Sequence, residues 1–484
     1  MRRLITPALS AAALALAGCT VGPDFQRPTA QVPAHWSAPA SEAPVVDGPW
    51  WAGFNDPELT SLIDRSAAAN LSLRQAALRI AEARAQRDIA AAARMPNLSA
   101  NASFTSQRLS ENTPTGRIFT SGGIPGLPPG VGLNIPNPYG QYQLGFDASW
   151  EVDLFGRVRR SVEASDADAA AALEDSRDAL VSLNGEVARS YIDLRGAQRK
   201  QAVAEAEIGA LQDLLGLTRQ RRGAGLTSDI DVTRAAAQLT ATQAQLPLLD
   251  RQIAVDINQL SRLMDLQPGA LAAELAAAGP APPAPPEVPL GLPADLARRR
   301  PDIRAAEARL HAATARIGVA KADLFPRLTL NATGGLQAED ISALTNWASR
   351  FSNLGPRVDL PVFDAGRRRA TVRVQDARAR EAALAYADTV LGALHEVENT
   401  LVAYRTEQLR RDSLAATVAQ DRDGLQLARQ RYDAGLASFL DVLDAERTLQ
   451  QNQLTLADSD AAVSTDLVAI YKALGGGWTG TAAS

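Results

Sequence analysis

One cysteine in 484 residues excludes an intrachain disulfide, and three histidines leave no Cys/His set for a zinc site. Aromatic residues make up only 5% of the chain, a composition that with abundant alanine favours long helices over a bulky core. The formal net charge of −5 provides no global attraction to nucleic acid or anionic lipid. No apolar run beyond the N-terminus is long enough for a membrane-spanning helix, so a chain like this crosses a bilayer only with strands. The length exceeds that of one ordinary domain.

What is present begins with "MRRLITPALSAAALALAGCT". Arg2 and Arg3 precede a short apolar run, Leu4 to Ala17, which suits a signal peptide and is too short for a permanent span. Leu16-Ala17-Gly18-Cys19 resembles a bacterial lipobox, with cleavage before Cys19 and lipid added to it. Thr20 stands where Asp would favour the inner membrane, so the expected address is the outer membrane.

Beyond this leader the chain is one unit written twice. "RRGAGLTSDIDV" from Arg221 returns as "RYDAGLASFLDV" from Arg431, and Gly225 and Gly435 are 210 residues apart. Gly156-Arg157 with Gly366-Arg367, and Glu186-Val187 with Glu396-Val397, keep that offset. Upstream, Pro96-Asn97-Leu98 matches Pro326-Arg327-Leu328 at an offset of 230, which requires a 20-residue insertion between Leu98 and Gly156. The Pro/Gly stretch "GGIPGLPPGVGLNIPNPYG" is that insertion, and "GPAPPAPPEVPLGLP" joins the halves as a stiff linker.

Each half switches period. From Tyr142, "YQLGFDASWEVDLF" alternates, with Tyr142, Leu144, Phe146, Ala148, Trp150, Val152 and Leu154 on one face and polar or small residues on the other. Leu98, Ala100, Ala102 and Phe104 alternate likewise, as do Leu328, Leu330 and Ala332, and Leu354, Val358, Leu360 and Val362. The helices show no free stripe to cover these apolar faces, and strands of about 10 residues have outer-membrane length. Four strands cannot close a barrel, because membrane barrels start at about 8 and an open edge is not tolerated in lipid. A spanning sheet of this size must therefore be shared between copies.

Heptad-like spacing follows: Leu180, Leu183, Val187, Tyr191 and Leu194 in the first copy; Ala387, Val390, Leu394, Val397, Leu401 and Tyr404 in the second; then Val442, Ala445, Leu449, Asn452, Leu456, Ser459 and Val463. The segment from Val158 to Arg221 would be roughly 95 Å long as a helix, placing each Ala-Gly-Leu turn far from the strands. Pro247 should interrupt its helix. The expected divisions are a signal peptide (1–18), a lipidated extended segment (19–56), repeat 1 (57–278; strands near 97–109 and 141–154, hairpin tip near 223–228), a Pro-rich linker (279–293), repeat 2 (294–474; strands near 327–336 and 353–363, tip near 433–438) and a flexible tail (475–484).

With "CTVGPDFQRPTAQVP", "WWAGFNDPEL", "ARMPNL", "ADLFPRL", "WEVDLFGRVRR", "VDLPVFDAGRRRA" and "RYDAGLASFLDVLDAERTL", the chain resembles the TolC-type outer-membrane factor family, in its NodT branch of OprM- and CusC-like efflux lipoproteins. The resemblance runs from Cys19 to Tyr471. It implies a mixed, mainly α fold with β: a homotrimer whose shared barrel takes four of its twelve strands from each protomer, above an α-helical tunnel with an α/β belt. It also implies a passive conduit for small molecules, docked on a periplasmic membrane-fusion adaptor and an inner-membrane pump of RND type. Protein secretion through a type I system is the alternative within the channel class, and a lipid-tethered coiled-coil rod the alternative outside it; the rod leaves the alternating strands unexplained.

By match to the family motif, Leu440, Asp444 and Arg447 set a periplasmic gate, with Asp441 and, after the first turn, Asp229, Asp231 and Arg234. On a solvated face Asp444 and Arg447 are also an ordinary i,i+3 pair. The adaptor-docking tips are Ala224, Gly225, Leu226 and Thr227, and Ala434, Gly435, Leu436 and Ala437. The family commonly has Val-Gly-Leu-Thr or -Ser there; Ala437 lacks the hydroxyl, with Ser438 as its expected substitute. No catalytic constellation, metal site, cofactor site or nucleic-acid site is expected. His35, His311 and His395 lack triad-like or metal-like neighbours, "HEVE" at His395 lacks a second histidine, and the Asn97 and Asn331 sequons fall on bacterial strands by chance.

Overall fold

The computed structural model describes residues 20–29, 32–37, 48–110, 112–113, 136–277, 279, 282 and 293–478. The expected signal peptide, Cys19, most of the Pro/Gly insertion, most of the linker and the last six residues lie outside them. The main elements are α1 (Pro57–Ala69), α2 (Leu71–Ala92), β1 (Asn97–Gln107), β2 (Tyr139–Val152), α3 (Arg157–Gly223), α4 (Asp229–Gln243), α5 (Leu246–Leu263), α6 (Pro301–Ala322), β3 (Arg327–Ala338), β4 (Arg350–Asp359), α7 (Arg367–Asp433) and α8 (Phe439–Ala473).

The duplication holds residue by residue. α2 and α6 share both ends at the 230 offset; α3 and α7, each 67 residues or about 100 Å, share both ends at the 210 offset. α4 plus α5 and α8 likewise begin and end at matching positions. The 20-residue difference falls wholly in the β1–β2 connection, residues 108–138 against 339–349 in β3–β4. One interruption separates the copies: α4 ends at Gln243 and α5 begins at Leu246, with Pro247 in its first turn, where a missing N–H costs nothing. α8 has no proline and runs unbroken for 35 residues.

The chain forms two compact units. The first comprises residues up to Gln26, Ala83–Ala169 and Arg309–Ala382. Its centre is a four-stranded antiparallel sheet in the order β1-β2-β3-β4, leaving one edge of β1 and one of β4 unpaired. β4 lies earlier than its alternation suggests: it starts at Arg350 and stops at Asp359, ahead of Pro361, which has no N–H for a ladder. The register aligns all four apolar sets on one face. Leu98, Ala148, Ala332 and Leu354 form one row; Trp150, Leu330 and Pro356 another; Val152, Leu328 and Val358 a third. Ser99, Asp147, Thr333 and Asn353 line the other face, with Glu151, Thr329 and Arg357 beside them. Among the described residues nothing in the unit covers the apolar face: Leu98 is 67% exposed, Phe146 60% and Leu354 81%. On the polar face the Asn101 side-chain amide donates to the Asp147 carboxylate.

The sheet joins its helices through ion pairs. Arg157, opening α3, donates to Glu151 at 2.8 and 2.6 Å, and Arg327 pairs with Asp323 at 3.2 Å. Gly156 has φ +81°, and a Cβ there would meet Thr20, whose neighbour Val21 donates its N–H to the Phe155 carbonyl at 3.2 Å. The chain just after Cys19 is thus pinned where the strand becomes a helix.

The second unit comprises Arg27–Glu82, Ala170–Ala308 and Ala383–Ser484. "WWAGFNDPEL" builds its belt. Trp50 to Phe54 form a 3-10 turn, Asn55 takes φ 50°, and Asp56 caps α1 by accepting the Leu59 N–H at 3.0 Å, with Pro57 at the first helical position. Trp50 stacks on Tyr471 at 5.2 Å, and Phe54, Leu59, Leu62, Tyr191, Leu194, Leu260 and Leu467 are buried together. The Tyr191 hydroxyl donates to Asp56 at 2.9 Å; burial first, and that carboxylate, push its pKa up to about 12. The α7 stripe differs from expectation by one place: Tyr386 is buried and Ala387 exposed, the larger ring taking the inward position.

Candidate functional site

The two Ala-Gly-Leu turns are the same object. Gly225 and Gly435 adopt φ +72° and +74°, the left-handed region that favours glycine. The Gly225 N–H bonds to the Arg222 carbonyl and the Leu226 N–H to that of Arg221, both at 2.9 Å. Gly435 bonds back to Tyr432 at 3.0 Å and Leu436 to Arg431 at 2.7 Å. This paired pattern closes a helix C-terminus and satisfies its last carbonyls. The leucine after such a glycine ordinarily folds back onto its helix; here Leu226 is 75% exposed and Leu436 71%.

Each turn then starts a helix with a reciprocal cap. Ser228 caps α4 and Ser438 caps α8; each hydroxyl accepts the N–H of Asp231 or Asp441, and each aspartate accepts the serine's N–H in return. Thr227 adds a hydroxyl donor to Asp231 at 2.7 Å. Partial burial raises the Asp231 carboxyl, but bonds from Thr227 and Ser228 outweigh it and hold the pKa below the usual value. The Ser438 hydroxyl and N–H hold Asp441 low in the same way. One expectation changes. Ser438 does not replace the hydroxyl missing at Ala437, because it has the cap position that Ser228 has in the first copy. Asp231 and Asp441 are committed to their caps, and the ion pair that Arg447 makes is with Asp444, at 3.5 Å.

Leu440, Asp444 and Arg447 share an exposed face of α8, at spacings of four and three. Asp229 pairs with Arg222 at 2.8 Å, and Arg234 acts on Asp231 only by its charge. Between the hairpins, Arg221 crosses from the end of α3 to Tyr432 and Asp433 at the end of α7.

Behind the turns lies an apolar cluster of Leu211, Leu214, Leu215, Ala235, Val418, Leu425, Phe439, Val442 and Leu449. Two carboxylates missed by the sequence reading border it. Glu207 of α3 is 7% exposed and Glu446 of α8 3%. Arg429 of α7 donates to Glu446 at 2.8 Å; burial, then repulsion from Glu446, raise the Glu207 pKa to about 7 against the opposing charge of Arg429. The available signal was spacing: Glu446 stands seven residues after Phe439 and four after Val442, in an inward register.

Among the described residues no group of His, Cys, Asp and Glu forms a metal site, and no helix is long and apolar enough to cross a membrane. His311 stacks on Phe25 at 4.4 Å and sits 3.0 Å from Glu163.

The model of a family described as outer membrane efflux protein matches residues 62–265 and 292–476, two segments that follow the two repeats. The outer membrane protein OprJ of Pseudomonas aeruginosa is 33% identical over 470 residues, covering 96% of this chain and 94% of that protein. The solvent efflux pump outer membrane protein SrpC of Pseudomonas putida is 33% identical over 487 residues, 97% of each. Among solved structures, the outer-membrane channel OprN superposes with a TM-score of 0.85 at 36% identity, covering 95% of this chain and all of that one.

Proposed function

The chain belongs to the outer membrane efflux protein family, and from that premise we propose that it is the outer-membrane conduit of a tripartite efflux system, a passive channel for small molecules handed over by an inner-membrane pump. The observation carrying this reading is the sheet: four strands whose registers bring their apolar residues to one face, with an unpaired edge on β1 and another on β4. At about 3.3 Å per residue and a tilt near 45°, strands of this length suit the apolar band of an outer membrane. Lipid covers the apolar face, the polar face lines water, and the edges are paired by further copies of the chain, three in all.

The tips meet the partner. Leu226 and Leu436 are apolar and exposed at their turns, a surface suited to the periplasmic adaptor of an RND-type pump; Ala224, Gly225, Thr227, Ala434, Gly435 and Ala437 shape it. Leu440, Asp444 and Arg447, with Asp229, Asp231, Asp441 and Arg234 behind them, form the gate: the leucine narrows the mouth and the charges tune it. Cys19 carries the lipid. Thr20 and Val21 lie at the strand–helix junction, which supports an acyl chain on the preceding cysteine near the boundary of the bilayer.

Purified protein in planar bilayers tests the reading, with native mass measurement beside it. A trimer with discrete single-channel conductance is expected. An extended monomeric species without conductance would leave a lipid-tethered rod.

A further inference from the structure

The two repeats determine how the unpaired edges meet. Within the protomer both hairpins have one register: Leu98 faces Ala148, and their counterparts Leu328 and Val358 face each other. The remaining pairing, β2 with β3, joins the end of repeat 1 to the start of repeat 2. There Val152 faces Leu328, Ala148 faces Ala332, and Leu144 faces Leu336. A seam between copies joins the end of repeat 2 to the start of repeat 1, so it is the same junction with the repeats exchanged.

Resting on the shared-barrel reading above, we propose that β4 pairs antiparallel with β1 of the next copy in the register of the β2–β3 junction. Val358 then stands opposite the partner's Ala102, Leu354 opposite the partner's Ser106, and Val362 opposite the partner's Leu98. A slip of one residue is excluded because it turns the apolar set of one strand to the wet face. Slips of two preserve the faces, and only the repeat chooses among them. The physical reason is closure: strand tilt, stagger and strand number of a barrel are linked, so successive junctions between near-identical hairpins share one stagger.

Features of the free edges fit this register. Val362 is 88% exposed beyond the end of β4, whereas its counterpart Val152 is paired inside β2; the seam extends β4 to reach it, past Pro361. Leu360 and Val358, 55% and 64% exposed, meet the partner's Ala100 and Ala102 on the apolar face. On the wet face the Asn101 Oδ1 is buried with no donor, and Arg357 makes no ion pair among the described residues. The seam sets Asp359 opposite the partner's Asn101, with Arg357 on the adjacent diagonal.

Cysteine pairs in the full-length chain test the register, because directly opposed Cβ atoms lie about 4.5–5.5 Å apart and diagonal ones about 7–8 Å, while a disulfide needs about 3.5–4.5 Å. Val358→Cys with Ala102→Cys, oxidised mildly in the membrane, should give covalent dimers and trimers that collapse on reduction. Val358→Cys with Ala100→Cys or with Phe104→Cys should link at least about tenfold less, and each single variant, which retains Cys19, should not link. Leu354→Cys with Ser106→Cys repeats the test near the other end of the seam. A slipped pair that links as well as the matched one overturns the register, as does a chain of trimer mass in which neither matched pair links. A wild-type chain that never reaches trimer mass sinks the shared barrel instead. If both matched variants fail to assemble while wild type does, a high-resolution map of the wild-type trimer decides: a β1 residue other than Ala102 facing Val358 overturns the proposal.

Discussion

The guanidinium of Arg221 sits 4.4 Å from the centroid of the Tyr432 ring, and its nitrogens reach the Tyr432 carbonyl at 3.4 Å and the Asp433 carboxylate at 3.2 Å. One side chain of repeat 1 thereby ties the end of its helix to the end of the corresponding helix of repeat 2. The tie has no mirror image: the counterpart of Tyr432 is Arg222, which pairs with Asp229 on its own turn. Arg221→Ala removes a cation–π contact and a partly buried ion pair, together about 1–2 kcal/mol. The expected result is higher resting conductance in planar bilayers with normal trimer yield. Tyr432→Leu should produce most of the same change, and the double variant little more; fully additive effects would show that the two residues act separately.

Asp444 and Arg447 are both largely exposed, and pairs of that kind contribute about 0–1 kcal/mol. Replacing both with alanine should leave thermal stability within about 2 °C of wild type. Conductance and uptake of a large antibiotic normally held out by the outer membrane should rise. Unchanged conductance in a normally assembled double variant would place the gate elsewhere.

Glu207 gives the tip bundle a pH dependence of definite sign. Its folded pKa of about 7 lies above the roughly 4.3 of an unfolded glutamate. The folded state therefore holds the proton more tightly; the associated stability is complete below pH about 4.3, declines as pH rises through about 7, and is absent above it. Glu207→Gln should abolish that decline, so that the variant melts higher than wild type at pH 8 while the two converge near pH 5. Parallel melting curves across this range would mean that Glu207 is ionised in its burial site.

The two faces of the sheet should respond differently to charge. Arg in place of Phe146 or Leu330, on the apolar face, should cost about 2–4 kcal/mol if the site is near the bilayer midplane, and Arg in place of Asn331, on the polar face, far less. Heat resistance of the oligomer on gels reads the difference. Equal losses on both faces would remove the membrane assignment.

Acylation of Cys19 is expected at the mature N-terminus, visible by mass spectrometry as a chain beginning at that cysteine with fatty acids attached. Cys19→Ala should lose the lipid yet retain channel conductance, since the sheet alone holds the protein in the membrane. A mature chain starting upstream of Cys19 without lipid would defeat this.

Local pattern determined a great deal. Alternation over Tyr142–Leu154 marked a strand and its wet side, because successive side chains on a strand point to opposite faces whatever surrounds it. The recurrence of Ala-Gly-Leu marked both turns, because only glycine enters the left-handed region without strain. The two offsets located the duplication and the insertion from residue identities alone. Tertiary structure decided what depends on which neighbour a side chain meets. Ala387 and Tyr386 are both compatible with a heptad, and only the packing of α7 turns the tyrosine inward. Asp441 reads as one charge in an acidic turn until its carboxylate is seen capping α8. Glu446 reads as a solvated glutamate until α3 and α7 close over it, and its partners are Arg429, 17 residues away, and Glu207, 239 away. The β2–β3 register belongs here too: each strand's period sets its faces, but the stagger between strands is a long-range choice, made by the sheet as it twists and pairs.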